Sequence, residues 1–428
     1  MANGVQTGWT KAQVNAVVAA FLGWTLDAFD FFLMVFVFVD IAKEFNTTIP
    51  TVAWATTLTL AARFIGAYIF GRAADAYGRR PVLMIVILSY SFFAFVSGLS
   101  PNLATLLVLR TLFGIAMGGE WGVGASLVME TIPARSRGLV SGFLQCGYST
   151  GYLIASGVYA ILYSNGVLGW RGMLMLGALP ALLCFFIISH VKESPGWTPK
   201  KGNTLEVVKN HWQLAIYAVI LMTAFNFFSH GTGDAYPTFL REQMKFSPAL
   251  AGGIAIVYNI GAICVGLFFG GLSQRIGRRK AIVVAALLSL PILPLWAFGT
   301  DAITLGAAAF AMQFMVQGAW GVIPAHLNEL SPADARGTFP GFTYQLGNFL
   351  ASLNLVLQTS MAAQNGGDYG TPLALVAGTV AIVIALLVWF GVERKDVHMG
   401  SQDDRAPSSV AHAHGLVGGR LAPGQPAE

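Results

Sequence analysis

The sequence predicts an all-α membrane protein in which twelve transmembrane helices form two pseudo-symmetric six-helix halves. The 428 residues are 55% hydrophobic and only 11% charged, whereas soluble domains carry about 25% charged residues. The charged residues form short clusters between apolar stretches of about 20 residues, the length that spans a bilayer as a helix. Several motifs also occur twice along the chain, which indicates two related halves.

The apolar stretches predict the twelve spans in order. They lie near residues 13–39, 51–74, 81–100, 103–129, 138–164, 169–190, 212–240, 249–273, 281–299, 302–329, 338–363 and 371–392. The three cysteines all fall inside predicted spans and do not indicate a disulfide framework.

Lysine and arginine residues predict how the chain is oriented. They are concentrated in the loops that follow the even-numbered spans, and the loops after odd-numbered spans are poorer in them. The loop after the seventh span, with Arg241 and Lys245, is the exception. Positive loops stay in the cytoplasm, so we expect both termini to be cytoplasmic in a multi-pass protein of the cell inner membrane. The net charge of +5 therefore reflects loops and does not indicate nucleic-acid binding.

An internal repeat divides the chain into halves. GRAADAYGRR at Gly71–Arg80 returns as GGLSQRIGRR at Gly270–Arg279, a shift of 199 residues, and the same shift relates ETIPARSRG to ELSPADARG. We expect an N-terminal half at 1–191, a cytoplasmic linker at 192–211, a C-terminal half at 212–396 and a disordered cytoplasmic tail at 397–428. Parallel halves of this kind form transporters whose site lies between them at the membrane midplane.

The stretch NFFSHGTGDAYPT, residues 226–238, places polar groups inside an apolar span. His230 and Asp234 are four residues apart and share a helix face, which Asn226 extends. Intramembrane ionisable groups usually line a functional cavity, so we interpret this stretch as part of a transport site. The alternative is a polar pair that joins helices.

Arg63 is the second intramembrane feature. It lies about eight residues before the Gly71 loop, about 12 Å into the membrane at 1.5 Å per residue. Its planar guanidinium suits a substrate carboxylate. The alternative is an internal ion pair with Asp27, Asp30 or Asp234.

Further polar residues lie on the predicted fifth, eleventh, first and fourth spans. Gln345 and Asn348 share a helix face, and their amides suit a carboxylate or a hydroxyl. Tyr148 and Thr150 lie in the fifth span. Asp27, Asp30 and Glu120 are acids that either carry a proton or balance a nearby arginine, two alternatives that the sequence leaves open.

The repeated loop predicts a conformational gate rather than a substrate site. Its glycines allow tight turns, and its charged groups can hold helix ends together. In the second copy Gln274 replaces Asp75, which predicts an asymmetric latch. The gate residues are Gly71, Asp75, Gly78, Arg79 and Arg80.

The repeated loop and the twelve spans together resemble the major facilitator superfamily over residues 13–395. Within it, residues 226–238 resemble the seventh-helix signature of fungal-type lactate permeases, with Gly233 in place of a glutamine. GWTLDAFDFF in the first span is similar to that of bacterial sialate–proton symporters. The resemblance thus points to the sialate/monocarboxylate–proton symporter family, and it implies that an arginine belongs at position 63, that Gln345 and Asn348 influence substrate choice, and that Thr150 lines the substrate path. The matching positions of the signature are Asn226, Ser229, His230, Thr232, Asp234 and Thr238.

These features predict a secondary active transporter that carries a small monocarboxylate, lactate or pyruvate, together with a proton by alternating access. Arg63, Gln345, Asn348 and Asn226 are expected to grip the carboxylate, while His230, Asp234 and one acid of the first half carry the proton. We expect no cofactor, no metal and no nucleic-acid partner, and a functional monomer. An enzyme is not expected, because the sequence has no Ser–His–Asp order, Walker loop or metal-ligand spacing. The alternatives are a symporter of a larger acid, such as sialate or an aromatic acid, and a nutrient sensor on the same fold.

Overall fold

A computed structural model describes residues 9–47, 49–163, 166–198, 210–236, 239–246, 248–395 and 397. The described chain is built from α-helices with short 3-10 and π segments. Thr238, most of the predicted linker and nearly all of the predicted tail lie outside the described residues. The α-helices are α1 Lys11–Phe36, α2 Phe38–Glu44, α3 Ile49–Tyr77, α4 Arg79–Ser97, α5 Leu103–Met117, α6 Glu120–Thr131, α7 Arg137–Val158, α8 Trp170–Met175, α9 Leu183–His190, α10 Trp212–Gly233, α11 Pro248–Ile276, α12 Arg278–Ser289, α13 Leu293–Phe298, α14 Ala302–Trp320, α15 Ile323–Leu330, α16 Phe339–Ala351, α17 Asn354–Gln364 and α18 Gly370–Trp389.

These helices give the twelve predicted passes. Among the described residues, nine helical segments are long and apolar enough to span a membrane on composition alone. The other three passes are α3, α7 and the α16–α17 pair. These three passes carry the polar candidate residues Arg63, Tyr148 and Gln345. The all-helical twelve-pass fold is therefore confirmed.

Helix ends follow the local sequence. Thr10 and Gln13 form a reciprocal capping box at the start of α1, and Asn102 and Asp301 cap α5 and α14 with their side chains. Such caps satisfy backbone N–H groups that have no partner within the helix. Gly78 and Gly277 separate α3 from α4 and α11 from α12 with φ of 109° and 98°. Only glycine adopts this conformation readily, so the repeated glycine marks the same sharp turn in both halves.

Several passes consist of two helices with a break between them. Pass 4 breaks at Gly118–Gly119, between α5 and α6, and pass 11 breaks at Ser352–Leu353, between α16 and α17. A Cβ on Gly118 would lie 1.9 Å from the carbonyl oxygen of Arg63. Glycine therefore allows passes 2 and 4 to touch beside Arg63, which brings Glu120 to the same depth as the arginine.

The two halves meet along two helix pairs. Helix α3 packs against α16, and α7 packs against α11. Many large apolar side chains on the outside remain exposed, including Phe185 at 70% and Phe390 at 80%. Exposed apolar side chains are expected where a protein faces lipid tails. Polar side chains are therefore concentrated between the helices.

Candidate functional site

Arg63 and Asp27 form a buried ion pair between α3 and α1. Arg63 Nη2 donates to Asp27 Oδ2 at 3.1 Å, and the two side chains are 3% and 0% exposed. Asp27 Oδ1 and Arg63 Nε have no hydrogen-bond partner within the residues that the structure describes. The sequence left three acids open as ion-pair partners of Arg63. Asp27 is the one that forms the pair. The pair still has unused hydrogen-bonding capacity, which a further polar group could satisfy.

Aromatic rings surround this pair. The Arg63 guanidinium lies 5.8 Å from the ring centre of Trp24, within the range of a cation–π contact. Tyr148 lies 5.5 Å from Trp24, and Trp121 lies 4.7 Å from Tyr344, measured between ring centres. Sequence reasoning singled out Tyr148 but missed the other three rings, because aromatic residues are common in spans and a position alone does not show which way a ring points.

His230 links two elements of the second half. Its Nδ1 lies 3.0 Å from Asp234 Oδ2, and its Nε2 lies 3.1 Å from Asn348 Oδ1 on α16. The contact with Asp234 is the one that their four-residue spacing predicted. The side chains of His230 and Asp234 are 27% and 40% exposed. The chain Asp234–His230–Asn348 is therefore accessible to solvent, unlike the Arg63–Asp27 pair.

The partners of His230 match its protonated form. Both ring nitrogens face oxygen atoms, and an imidazolium donates from both nitrogens whereas the neutral ring donates from only one. A 180° rotation of the Asn348 amide would present its NH2 group to a neutral ring instead. The arrangement can therefore hold either protonation state with one amide rotation. Arg63 is also close enough to act electrostatically on His230.

Gln345 lies one helical turn before Asn348, and Asn226 lies one turn before His230. The amide groups of Gln345 and Asn226 differ in their hydrogen bonds. Gln345 is fully buried, and neither its Oε1 nor its Nε2 has a partner in the described part of the chain. Asn226 donates to the carbonyl oxygens of Met222 at 2.8 Å and Tyr344 at 3.5 Å. In this conformation the Asn226 NH2 group joins α10 to α16, so its predicted grip on a substrate would require it to leave these carbonyls.

Thr150 is likewise occupied locally. Its hydroxyl donates to the carbonyl of Cys146, one turn earlier on α7, at 2.9 Å. Back-bonding of this kind is common for threonine in membrane helices. In this conformation the Thr150 hydroxyl is therefore already hydrogen-bonded within α7.

Asp30 and Glu120 are buried acids of the first half. Asp30 is 1% exposed, and Arg110 is the cation that acts on it most strongly. Arg110 lies 3.9 Å from the ring centre of Phe113. Glu120 is 1% exposed and borders a cavity of about 10 Å³ together with Trp24. That volume is about enough for one water molecule. Both carboxylate oxygens of Glu120 lack a hydrogen-bond partner among the described residues, and Arg63 acts on Glu120 only electrostatically.

The predicted gate closes the end of the bundle that carries the arginine-rich loops, which we call the basic end. Asp75 accepts hydrogen bonds from the backbone N–H groups of Gly337 at 2.7 Å and Thr338 at 3.0 Å, beside the start of α16. It also pairs with Arg79 at 2.7 Å, and Arg79 reaches Glu130 at 3.2 Å. Asp75 therefore joins the first half to the second.

The remaining gate residues support this contact. A Cβ on Gly71 would lie 2.6 Å from Thr338 Cα, so the close approach of the two halves requires a glycine there. The carboxylate of Glu193 accepts from the backbone N–H groups of Arg79 at 2.9 Å and Arg80 at 3.1 Å, directly after Gly78. Sequence reasoning missed Glu193, because it lies far away in the chain.

The second copy of the loop forms a neutral version of the same contact. Gln274 accepts from the backbone N–H of Gly138 at 3.1 Å and donates to the carbonyl of Ala134 at 3.0 Å. Arg278 pairs with Glu329 at 2.8 Å and donates to Gln274 at 3.0 Å. The asymmetry predicted from Asp75 and Gln274 is thus present in the contacts, and the basic end is closed by both copies.

Known proteins are similar to this chain in sequence and in fold. The chain is 30% identical to the sialic acid transporter NanX of Escherichia coli over 91% of this chain and 98% of that protein. It is 27% identical to the carboxylic acid transporter protein homolog of Saccharomyces cerevisiae over 89% of this chain and 68% of that protein. The solved structure of the proton:xylose symporter XylE superposes with a TM-score of 0.74 at 18% identity, covering 91% of this chain and 97% of that chain.

The family model described as Major Facilitator Superfamily matches residues 19–353 and 219–421. Its matches cover most of the chain and agree with the twelve-pass fold. The relatives are transporters, so the chain is a multi-pass membrane transporter that is not an enzyme and needs no cofactor. It belongs to the Major Facilitator Superfamily.

Proposed function

We propose that this chain is a proton-coupled symporter of small monocarboxylates, with lactate and pyruvate as the first candidates. The observation that carries the proposal is the Arg63–Asp27 pair beside the chain Asp234–His230–Asn348. The first group offers a cation for an anionic substrate, and the second offers a proton carrier. The sialic acid and carboxylic acid transporters among the relatives support an organic acid as the substrate.

The proposed mechanism begins with the exchange of one carboxylate for another. When Asp27 takes up a proton it becomes neutral, and Arg63 is then free to bind the substrate carboxylate through two parallel hydrogen bonds. The unpartnered amide of Gln345 donates to the same carboxylate. His230, whose side chain is partly exposed to solvent, passes the proton toward Asp27, and Asn348 hydrogen-bonds to the hydroxyl or keto group of the substrate. Binding thus couples one anion to one proton.

Charge neutrality drives the next step. An anion crossing alone against a membrane potential would cost about 2.3 kcal/mol per 100 mV, whereas an anion with a proton carries no net charge. The loaded site then allows Asp75 and Gln274 to release the opposite half, which opens the basic end. Glu120 or Asp30 receives the proton on its way through the first half. The transporter works as a monomer in the cell inner membrane, with both termini in the cytoplasm.

An aromatic acid is the second candidate substrate. Trp24, Tyr148, Trp121 and Tyr344 place four rings near Arg63, and planar rings stack well on such surfaces. A sugar acid such as sialate would need more hydroxyl partners than the described side chains around Arg63 provide. A small monocarboxylate remains the first candidate, because the partners of His230 suit a compact polar substrate.

Counterflow without a gradient tests the substrate class. Liposomes that contain the purified protein are loaded with unlabelled L-lactate, and exchange with external labelled L-lactate is measured. Pyruvate, benzoate and sialate are then added as competitors. We expect pyruvate to compete best. Stronger competition by benzoate or sialate would reassign the substrate, and no exchange of any acid by folded protein would favour a sensor.

A further inference from the structure

A basic pocket lies at the membrane boundary of the second half, away from the transport site. It has a volume of about 350 Å³ and is bordered by Ile276, Arg279, Lys280, Trp389, Glu393 and Lys395. These residues come from the end of pass 8, the start of pass 9, the end of pass 12 and the segment that follows it. The volume lies in the range of small-ligand pockets.

The pocket carries an excess of positive charge. Arg279, Lys280 and Lys395 oppose the single carboxylate of Glu393. Both oxygens of Glu393 are already used, because they accept from the backbone N–H groups of Arg278 at 3.2 Å and Arg279 at 3.0 Å. Lys280 has no hydrogen-bond or ion-pair partner among the residues that the structure describes. Lys395 donates to the carbonyl oxygen of Gln274 at 2.8 Å. The cations that border the pocket outnumber the carboxylate of Glu393 three to one, so the pocket favours an anionic occupant.

The first half provides an internal comparison at the same backbone positions. Glu193 binds the amides of Arg79 and Arg80 as Glu393 binds those of Arg278 and Arg279. Arg80 donates to the carbonyl of Ile188 as Arg279 donates to that of Val388. Yet the positions equivalent to Lys280, Trp389 and Lys395 hold Pro81, Ser189 and Pro195. The first half therefore forms the same turn without a lysine, a tryptophan and a second lysine at these positions. Lys280, Trp389 and Lys395 are thus not needed for the turn itself.

The surroundings indicate which anion fits. Trp389 is 54% exposed and Ile276 is 36% exposed, both at the ends of membrane passes. Exposed tryptophan at such a boundary lies at the level of lipid headgroups. An apolar edge beside three cations matches a molecule with both an acyl chain and a phosphate. We propose that this pocket binds the phosphodiester headgroup of an anionic phospholipid in the leaflet at the basic end.

Native mass spectrometry of the purified full-length protein tests this proposal. The protein in detergent is mixed with equal amounts of phosphatidylglycerol and phosphatidylcholine that share the same acyl chains, and the bound ratio is measured. The test variant is K280Q/K395Q. The matched control is R275Q, which removes an exposed charge from the same turn without bordering the pocket.

The wild type and R275Q are expected to prefer phosphatidylglycerol. The double variant should lose up to about 30-fold of that preference, because each cation near a membrane surface contributes about fivefold. K280Q alone should lose about fivefold. It keeps the test decisive if K395Q disturbs folding, since Lys280 has no hydrogen-bond or ion-pair partner in the described part of the chain. An unchanged preference in K280Q would overturn the proposal.

Inorganic phosphate distinguishes the two possible occupants of the pocket, the phosphodiester of a lipid headgroup and a free phosphate anion. Millimolar phosphate should not displace bound phosphatidylglycerol, because it lacks the acyl chain that Trp389 and Ile276 would contact. Displacement by phosphate, or equal binding of phosphate without lipid, would make this a site for a free anion and contradict the lipid assignment.

Discussion

Arg63 and Asp27 neutralise each other inside the bundle, with 3.1 Å between Nη2 and Oδ2 and almost no exposure of either side chain. A buried pair of this kind is strongly destabilised when one partner is removed, because the other charge is left without compensation. We propose that this pair is the switch of transport, because protonation of Asp27 would release Arg63.

The substitution D27N should separate binding from coupling. It leaves a neutral side chain of the same shape, so Arg63 is free to hold a carboxylate at all times, and the free energy of unfolding should fall by up to about 3–5 kcal/mol without substrate. Substrate should restore part of that loss, measured as a larger thermal shift with lactate than in the wild type. The exposed acid Glu242 provides the control variant E242Q. A D27N protein that lactate fails to stabilise would contradict the switch.

His230 should be required for coupling but not for exchange. The variant H230Q keeps a polar side chain near Asp234 and Asn348 but cannot carry a proton, so gradient-driven accumulation of lactate should fall to the equilibrium level. Counterflow without a gradient should persist, because it needs no net proton movement. Both rates are measured in the same liposome preparation. Full accumulation by H230Q would remove His230 from the proton pathway.

Loss of the Asp75 contacts should open the gate more than loss of the Gln274 contacts. D75N keeps one acceptor oxygen, so only one of the backbone N–H groups of Gly337 and Thr338 keeps a hydrogen bond, and that bond is neutral. The loss of about 1.5 kcal/mol or more should shift the population at least about tenfold toward opening at the basic end. Q274A should act in the same direction but less, since its bonds to Gly138 and Ala134 are already neutral. Spin labels at R72C and R275C, in a background without native cysteines, report the distance across the gate. An unchanged distance distribution in D75N would show that Asp75 does not hold the gate.

Glu44 lies at the end of the bundle opposite the gate, and its pKa should make the melting temperature depend on pH. Hydrogen bonds from the Trp170 indole and from Arg171 lower the pKa of Glu44 below that of an ordinary glutamate. A carboxyl with a lowered folded-state pKa contributes stability above its unfolded pKa and loses it as pH falls through the folded pKa. E44Q should therefore lower the melting temperature at pH 7. The difference should shrink on acidification below about pH 4, near the ordinary glutamate pKa. A constant difference across this range would assign the effect to packing.

The sequence predicts some of these relationships because they are local or repeated. The spacing of His230 and Asp234 places them on one helix face, and the shift of 199 residues identifies Asp75 and Gln274 as counterparts. The glycine that ends the loop predicts the turn in both halves, because only glycine adopts its φ readily. Such features need no knowledge of how distant helices pack.

Other relationships depend on the register between distant passes. Nothing in the sequence selects Asp27 over Asp30 as the partner of Arg63, because both acids lie on the same pass and differ only in the direction they face. Asn348 reaches His230 across 118 positions of the chain. The sequence predicts that Asn226 binds substrate, whereas its NH2 group contacts two backbone carbonyls. Each case is decided by helix rotation, which side-chain packing over the whole bundle determines.

Proton-driven uptake through Arg63 is measured with labelled L-lactate. The lactate is offered to liposomes that contain the wild type or R63Q, with and without an inward proton gradient. We expect the gradient to drive accumulation above the external concentration in the wild type, and we expect R63Q neither to accumulate nor to bind lactate. Uptake by the wild type that ignores the gradient, or accumulation that survives in R63Q, would contradict carboxylate–proton symport through Arg63.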